Sequence, residues 1–428
     1  MRTNRTVGTV AVVALAALGG LTQAAPAAAQ LANASARTLG LAQNSSAVIR
    51  GFGAVAVNPA GLAMPGSGFS LALLPMRIRS GLDPITLKDL ADVQGTLVSD
   101  ATKEAWLGRL ENGGSESGSV GARLTALALS AGNFGFQMST VGAVNIDLSP
   151  SIVEAILYGN AGRTGQPADL SLAGSAASGF AVTTAAFSAA LPLATEAGAM
   201  AIGVTAKYSV GHGLLIAEDR GGKIGSDPIA IDVDFPIIMT GEDADIAGGG
   251  TGVGLDVGFM MQKERVSVSA AVLNVVNTFA WDESQLVYRP GTANVVQGSA
   301  ESDFDERPLS GAPANLRAQI EEMTFDPIVQ AGVAYDLDPD VTITGEVRNR
   351  FGDGLDISPK FHLGAGAEYR GLKVLHLRGG AAVISGGVQY AGGGSLVLGP
   401  VNLSAAMAAR TGDTNQVLGQ FTLSFGNR

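Results

Sequence analysis

Residues 199–210 read Ala-Met-Ala-Ile-Gly-Val-Thr-Ala-Lys-Tyr-Ser-Val. Met200, Ile202, Val204, Ala206, Tyr208 and Val210 alternate strictly with Ala199, Ala201, Gly203, Thr205, Lys207 and Ser209. A period of two is that of a β-strand, whose successive side chains point to opposite faces. The rhythm returns at 251–261, where Val253, Leu255, Val257, Phe259 and Met261 oppose Gly252, Gly254, Asp256 and Gly258. At 340–349, Val341, Ile343 and Val347 oppose Thr342, Thr344, Glu346 and Arg348. At 359–370, Phe361, Leu363, Ala365, Ala367 and Tyr369 oppose Lys360, His362, Gly364, Gly366, Glu368 and Arg370. A charge on a lipid-facing strand surface costs several kcal/mol, so in a membrane the charged set lines the inside.

Strand-like segments lie at 67–79, 118–130, 132–145, 175–190, 198–211, 251–261, 264–277, 326–337, 340–349, 359–370, 372–384, 394–409 and 415–427, with a further one at 228–236. Twelve to fourteen such segments, many long enough to cross a bilayer at a tilt, suit a closed antiparallel β-barrel. Closure is required in lipid, where an open edge would leave bare N–H and C=O groups. The connections Ala131-Gly132-Asn133, Met261-Gln262-Lys263-Glu264 and Asp336–Asp340 have hairpin chemistry, whereas 146–174, 212–250 and 278–325 read as the longer, extracellular set. Two stretches change period. Ser99 or Asp100 can cap a helix over about 101–110 that Gly113 and Gly114 end, and Ser149-Pro150 opens a second over 149–158. Both helices fit a loop or a partial plug.

Arg2 and Arg5, the apolar run Val7–Leu21 and the small residues Ala27 and Ala29 have the form of an export signal over 1–29, with a mature start at Gln30. No later run resembles a membrane helix of about 20 apolar residues. The chain has no Cys, which excludes a disulfide scaffold, thiolate metal sites and a cysteine nucleophile. Charged residues are 15%, against a usual share of about 25%, too few to cover a soluble surface of this size. Gly is 59 of 428 residues, and the walls it furnishes allow close approach by a plug or an apolar ligand. A net charge of -11 argues against nucleic acid as a partner. At the end of the chain Val417, Gly419, Phe421, Leu423 and Phe425 share a face, and Phe421, Leu423 and Phe425 are candidates for a membrane-assembly signal, although the last residue is Arg428.

The segment from Ala34 to Ala63 reads ASARTLGLAQNSSAVIRGFGAVAVNPAGLA. It resembles the N-terminal signature of the long-chain fatty acid transporter (FadL-like) superfamily of outer-membrane barrels, which includes the secretion barrel PorV and the conjugal-transfer TraF-like branch. Asn58, Pro59, Ala60, Gly61 and Leu62 match its core; Asn44, Ser45 and Ser46 replace the usual acidic pair, and Val57 the usual aromatic. The resemblance implies 14 strands, a segment over 30–66 folded into the lumen as a hatch, a barrel over 67–428, a bacterial (Gram-negative) outer-membrane location, outer-membrane lipids and the barrel assembly machinery as partners, and no cofactor. From the residues, Pro59 fixes φ, Gly61 permits a tight bend and Asn58 can hold the turn.

No enzyme emerges. The three histidines are His212, His362 and His376, and no serine sits in a G-x-S-x-G elbow. His362 and His376, on neighbouring strands, are read as lumenal hydrogen-bonding groups that come close rather than as a metal pair. Asp243 and Asp245 begin a calcium-loop spacing that Ala247 breaks, and Gly248–Gly252 precede a strand and no Lys-Ser/Thr, so no phosphate loop follows. Candidates to line the lumen are Arg123, Lys207, Asp256, Glu346, Arg348, Lys360, His362, Glu368 and Arg378, whose mixed signs suggest a salt-bridged interior. The expected function is passive uptake of small hydrophobic molecules. The alternative is a non-transporting scaffold or anchor for a secretion, conjugation or surface assembly, with surface-assembly proteins as partners.

Overall fold

The computed structural model describes residues 31–159, 162–164, 169–195, 198–226, 229–245, 249–296, 299–355, 357–412 and 415–426. The expected signal at 1–29, Gln30 and Arg428 lie outside them. Fourteen antiparallel strands form the wall. They are β1 Ser70–Asp83, β2 Glu116–Ala131, β3 Phe134–Leu148, β4 Ala176–Thr195, β5 Gly198–Glu218, β6 Gly250–Lys263 and β7 Val266–Asn277. The second half comprises β8 Ile328–Asp336, β9 Val341–Arg350, β10 Phe361–Tyr369, β11 Leu375–Ile384, β12 Gly387–Leu398, β13 Val401–Gly412 and β14 Gln416–Gly426. Each pairs with the next, and β14 returns to β1 in a register running from Ser70 opposite Gly426 to Gly81 opposite Gln416. That last ladder removes both edges of the sheet.

The fourteenth strand is not where the alternation suggested. The segment 228–236 does contain a strand, Ile229–Asp234, but it belongs to a separate five-stranded sheet outside the wall. The expected single strand 394–409 is instead two, because Gly399 at φ +63° and Pro400 turn the chain between β12 and β13. β5 also outruns its expected end at 211. His212 is the extra residue of a bulge, with Val182 opposite Gly211 and Ala181 opposite Gly213. The bulge reverses the parity of the pattern, and Leu214 and Ile216 beyond it point inward.

Connections alternate in length from β1 to β9, and beyond that the outer turn between β11 and β12 is short as well. Short turns join β2 to β3, β6 to β7, β8 to β9, β10 to β11 and β12 to β13 at the end where β1 starts and β14 stops. The long connections 84–115, 149–175, 219–249 and 278–327 lie at the other end. Short turns on the periplasmic side and long loops outside are the rule for such barrels. On the outer surface Phe134, Phe187, Val253, Val383, Tyr390, Met407 and Phe421 are exposed, and Leu423 and Phe425 are half-buried on the same face as Phe421. The opposite face carries buried Gln137, Ser139, Thr184, Thr205 and Ser209.

Inside the lumen, the chain before β1 forms α1 Ala36–Gly40, a short α2 Ala54–Val57 and a 3₁₀ turn Pro59–Ala63. Over the outer ends of the strands lie α3 Leu87–Asp92, α4 Asp100–Gly113, α5 Pro150–Tyr158 and α6 Ala314–Glu322. Ser99 caps α4 and Gly114 ends it, while Ser149 caps α5 with Pro150 at its first position. α4 and α5 pack on each other through Trp106, Leu107, Leu110 and Val153, away from the lumenal segment.

α3 supplies a pH-dependent contact. Thr86 and Asp89 form a capping box, with Thr86 N 2.8 Å from Asp89 Oδ2 and Arg109 Nη1 3.0 Å from the same oxygen. The Arg109 hydrogen bond holds the Asp89 carboxyl down at about 2. Because the folded value is the depressed one, the contact stabilises fully above the unfolded value of about 3.9 and is lost as pH falls through about 2. The pair is partly exposed and contributes about 0.2–1 kcal/mol. After correction for intrinsic rates, amide exchange in α3 should quicken between pH 4 and pH 2 in the wild type and not in Asp89→Asn. Equal protection across that range in the wild type would contradict it.

Candidate functional site

The segment 31–66 fills the lumen. Ala34, Leu39, Leu41, Asn44, Ala54, Val55, Asn58 and Ala60 are fully buried against the wall. Irregular backbone inside a barrel has to find its partners in the strands, and this one does. Gln137 Nε2 donates to Ala32 O, Gln420 Nε2 to Asn33 O at 2.8 Å, Thr422 Oγ1 to Ala34 O at 2.8 Å and Gln330 Nε2 to Val57 O at 2.6 Å. In the other direction Ala36 N donates to Thr422 Oγ1 at 3.1 Å. Asn58, Pro59, Ala60, Gly61 and Leu62 form the 3₁₀ turn and its cap: Asn58 Oδ1 accepts from Ala60 N at 3.1 Å, and its Nδ2 donates to Phe259 O at 3.1 Å.

Glycines in the wall make this fit. A Cβ on Gly203 would lie 2.4 Å from Ala60 N, one on Gly258 would lie 2.1 Å from Asn58 Oδ1, and one on Gly380 would lie 2.7 Å from Leu41 O. Gly203 and Gly258 are register partners across β5 and β6, so together they open a window for the Asn58-Pro59-Ala60 turn.

Charged side chains fasten the segment at two heights. Near the periplasmic end, Glu368 receives Arg37 Nη2 at 2.5 Å, Arg378 Nε at 2.6 Å and Arg370 Nη1 at 3.0 Å. Higher up, Glu346 Oε2 accepts from both Ser45 N and Ser46 N at 2.9 Å. Ser45 and Ser46 stand where the resembled family carries acids; here the carboxylate comes from the wall and the segment supplies the donors. Arg348 Nη2 reaches Gln43 Oε1 at 3.3 Å, and His362 Nε2 reaches Asn44 Oδ1 at 3.0 Å. Lys207 and Asp256 form a buried ion pair on β5 and β6, joined by the Asn274 side chain. Asn274 Nδ2 donates to Asp326 O at 2.8 Å, and Asp326 pairs with Arg350 at 2.9 Å, so the network runs from the wall into the outer loops.

Other expected positions differ. Lys360 precedes β10 at the outer rim, is exposed and pairs with Asp353, so it does not line the lumen. The alternation placed it there because it extends the β10 pattern one step past the real strand end. His362 and His376 are not close. His362 is level with Ile384 on β11, and His376 lies eight residues further down that strand, roughly 27 Å away at the usual rise. Arg123 lies beneath the outer loops, donating to Ile357 O. Arg37, Arg77, Arg79 and Arg410 were missed. Arg77 and Arg79 alternate with Met76 and Ile78 and were legible in β1; Arg410 fell beyond the expected end of the merged strand.

The two sides of the lumen differ. On β3–β6 a series of apolar clusters runs down it, between polar groups that pair with one another. At the outer mouth Val141, Ala143, Phe180, Val182, Leu214 and Ile216 pack with Phe279, Trp281, Leu316, Phe325, Leu355 and Ile357 of the loops, and this cluster reaches Ala32. Below it come Leu31, Val55, Ala56 and Ala186, and then Leu62, Met64, Ala201 and Met260. Between these lie hydroxyls paired with each other, Thr184 with Ser209 and Ser188 with Thr205, both at 2.7 Å. The series ends in an open groove of about 580 Å³ at the periplasmic rim, lined by Leu62, Met64, Pro65, Pro192, Leu193 and Met200. The facing side, β8–β14 and β1, carries most of the charges, while on β5 and β6 the buried charges are Lys207 and Asp256, paired with each other.

Residues 68–275 match a protein family of unknown function (DUF5723). No curated protein matches the sequence. Among solved structures the chain is similar to the Ralstonia pickettii toluene transporter TbuX, with 12% identity, a TM-score of 0.54 and coverage of 92% of this chain and 98% of that one. It is also similar to the monoaromatic hydrocarbon channel CymD, at 13% identity, a TM-score of 0.53 and coverage of 93% and 99%. The TodX deltaS2S3 mutant channel follows at 12%, 0.51, 91% and 98%. Fourteen antiparallel strands closed around an inward-folded N-terminal segment give the chain the same barrel fold as these channels.

Proposed function

We propose that the protein passes small hydrophobic molecules passively across the outer membrane, with residues 31–66 as a movable hatch. The observation that carries this is the apolar series along β3–β6, which runs from the outer mouth past the hatch to the periplasmic groove. At the mouth, Phe279 stacks edge-to-face with Trp281 at 5.3 Å and with Phe325 at 5.4 Å, contacts that an aromatic guest can replace in kind. Similar channels are named for toluene and monoaromatic hydrocarbons, which supports that class of cargo here. The charged side of the lumen grips the hatch, and the apolar side offers the path beside it. The N-terminal turn motif is the part of the hatch seated nearest the groove, and the outward Phe421, Leu423 and Phe425 remain our candidates for the assembly signal.

Hatch movement is directly testable because the chain has no cysteine of its own. Ala36→Cys with Thr422→Cys places a disulfide between α1 and β14, where Ala36 N and Thr422 Oγ1 are now 3.1 Å apart. In liposomes loaded with a solvatochromic dye, toluene entry through the oxidised variant should fall to the protein-free rate and recover on reduction. Equal entry in both states would refute the hatch as the gate. No entry above the protein-free rate in either state, or in the wild type, would leave the sealed scaffold or anchor as the better reading.

A further inference from the structure

The helices that follow β1 and β3 sit on the membrane side of the wall and not over its bore. On β3, Val144 and Ile146 are exposed on the outer surface, and Leu148 continues their face. On β2, Val120 is exposed in the same way, and Glu116, of the same parity, is the register partner of Leu148. At this height the outer surface is covered. Leu148 packs with Ile85, Trp106, Leu107, Leu110 and Val153, while Glu116 is buried and its Oε2 accepts from Ile85 N at 3.0 Å. The layer made by α3, α4 and α5 is therefore a ledge that overhangs the lipid beside β1–β3.

The charged and apolar sides of this ledge are opposed. Arg163 Nη2 reaches Glu111 at 2.5 Å, Arg163 N donates to Glu154 Oε1 at 2.9 Å, and the Tyr158 hydroxyl donates to Glu104 at 3.2 Å. These contacts tie α4 to α5 along one side. Ile156 lies two residues beyond Glu154, about 200° round the helix, and Ile152 lies one turn before it. Val153 and Leu157 face the interior of the ledge, whereas Ile156 is 69% exposed. α5 is thus apolar on two sides, and one of them is left open. α3 repeats the pattern: Leu87 and Leu90 are exposed on the side away from the Lys88–Asp92 ion pair.

We propose that the ledge rests in the outer-leaflet interface of the membrane, with Ile156 of α5 and Leu87 and Leu90 of α3 set among the lipids. Continuity selects the lipid as occupant. The open side of α5 begins just past the end of β3, whose outer face already meets lipid through Val144 and Ile146. A helix held at the edge of a bilayer, with ion pairs on one side and bare aliphatic side chains on the other, has the geometry of an interfacial helix. The inference rests on the outer-membrane location alone and holds whether or not anything passes through the lumen.

Collision accessibility tests it on the full protein in phosphatidylcholine nanodiscs. The cysteine-free chain takes one nitroxide at a time, at Ile156→Cys, with Val144→Cys in the wall and Ala300→Cys on the exposed outer strand Ser299–Asp303 as references. The label at 156 should favour oxygen over a water-soluble nickel chelate, as at 144, and the chelate collisions seen at 300 should be lost. Leu90→Cys, exposed on α3, should give the same reading and covers the case in which a label on α5 disturbs it. Chelate access at 156 and 90 equal to that at 300 would overturn the proposal. Protection from oxygen and chelate alike would mean that protein covers the face, a second copy or a partner, and would overturn it equally.

Discussion

Glu368→Ala should release the hatch while leaving the barrel closed. The carboxylate of Glu368 is 2% exposed and receives Arg37 at 2.5 Å, Arg378 at 2.6 Å and Arg370 at 3.0 Å. Removing it deletes the link from α1 to β10 and also leaves the Arg37 and Arg378 guanidiniums facing each other. Removing one partner of a buried ion pair costs about 3–5 kcal/mol, because the remaining charge stays desolvated. The β10 ladder is untouched, since main chain makes it, and the wall loses only the side-chain bonds from Arg378 and Arg370 to Glu368. Trypsin should therefore cut at Arg37 and Arg50 far below the temperature needed for the wild type, while the heat-modifiable band of the folded barrel persists. Glu368→Ala with Arg37→Met should be less damaged than the single variant, because it removes one of the stranded charges. Hatch protection in Glu368→Ala within about 0.5 kcal/mol of the wild type, the range of an ordinary surface substitution, would show that the anchor lies elsewhere.

The wall was legible because its rule is local. Val253 against Asp256, or Leu363 against His362, reports which solvent each side meets whatever the rest of the chain does. It failed where one residue changes the parity, at His212, and where two strands of like composition meet in a Gly-Pro turn, at Gly399-Pro400. Neither event alters composition, only phase. The hatch has no period to read. Its path is set by partners hundreds of residues away, such as Gln420 for Asn33 and Glu346 for Ser45, and an irregular segment gives no sign of which wall group will meet it. For the same reason alternation could nominate Glu346, Glu368 and Arg378 for the inner face but could not pair them with Arg37 or with the Ser45 and Ser46 amides. The high glycine content suggested room for a plug; that Gly203 and Gly258 share one register position became visible only with the strands side by side.

Gly203→Val should open the channel from the wall side. A Cβ here would come within 2.4 Å of two backbone atoms, Ala60 N and the Pro59 carbonyl carbon, so no side-chain rotation relieves it. Something must move, and the two candidates are unequally held. Gly203 is locked into β5 by ladders on both sides, opposite Ala190 and Gly258. The hatch turn is held by the Asn58 bond to Phe259 and the Gln330 bond to Val57. Forcing extra volume into a packed site costs about 1–3 kcal/mol, and the less constrained element yields. The turn should therefore leave its window, costing both of those hydrogen bonds and uncovering the groove beneath. In planar bilayers Gly203→Val should show frequent openings where the wild type is mostly closed, with trypsin access at Arg50 rising in step. Gly419→Ala, where an added Cβ meets nothing within 4 Å, should behave as wild type. If Gly203→Val stays closed and protected, the wall and not the hatch has yielded, and the gate must then be sought at the apolar cluster of Phe279, Trp281 and Phe325 above it.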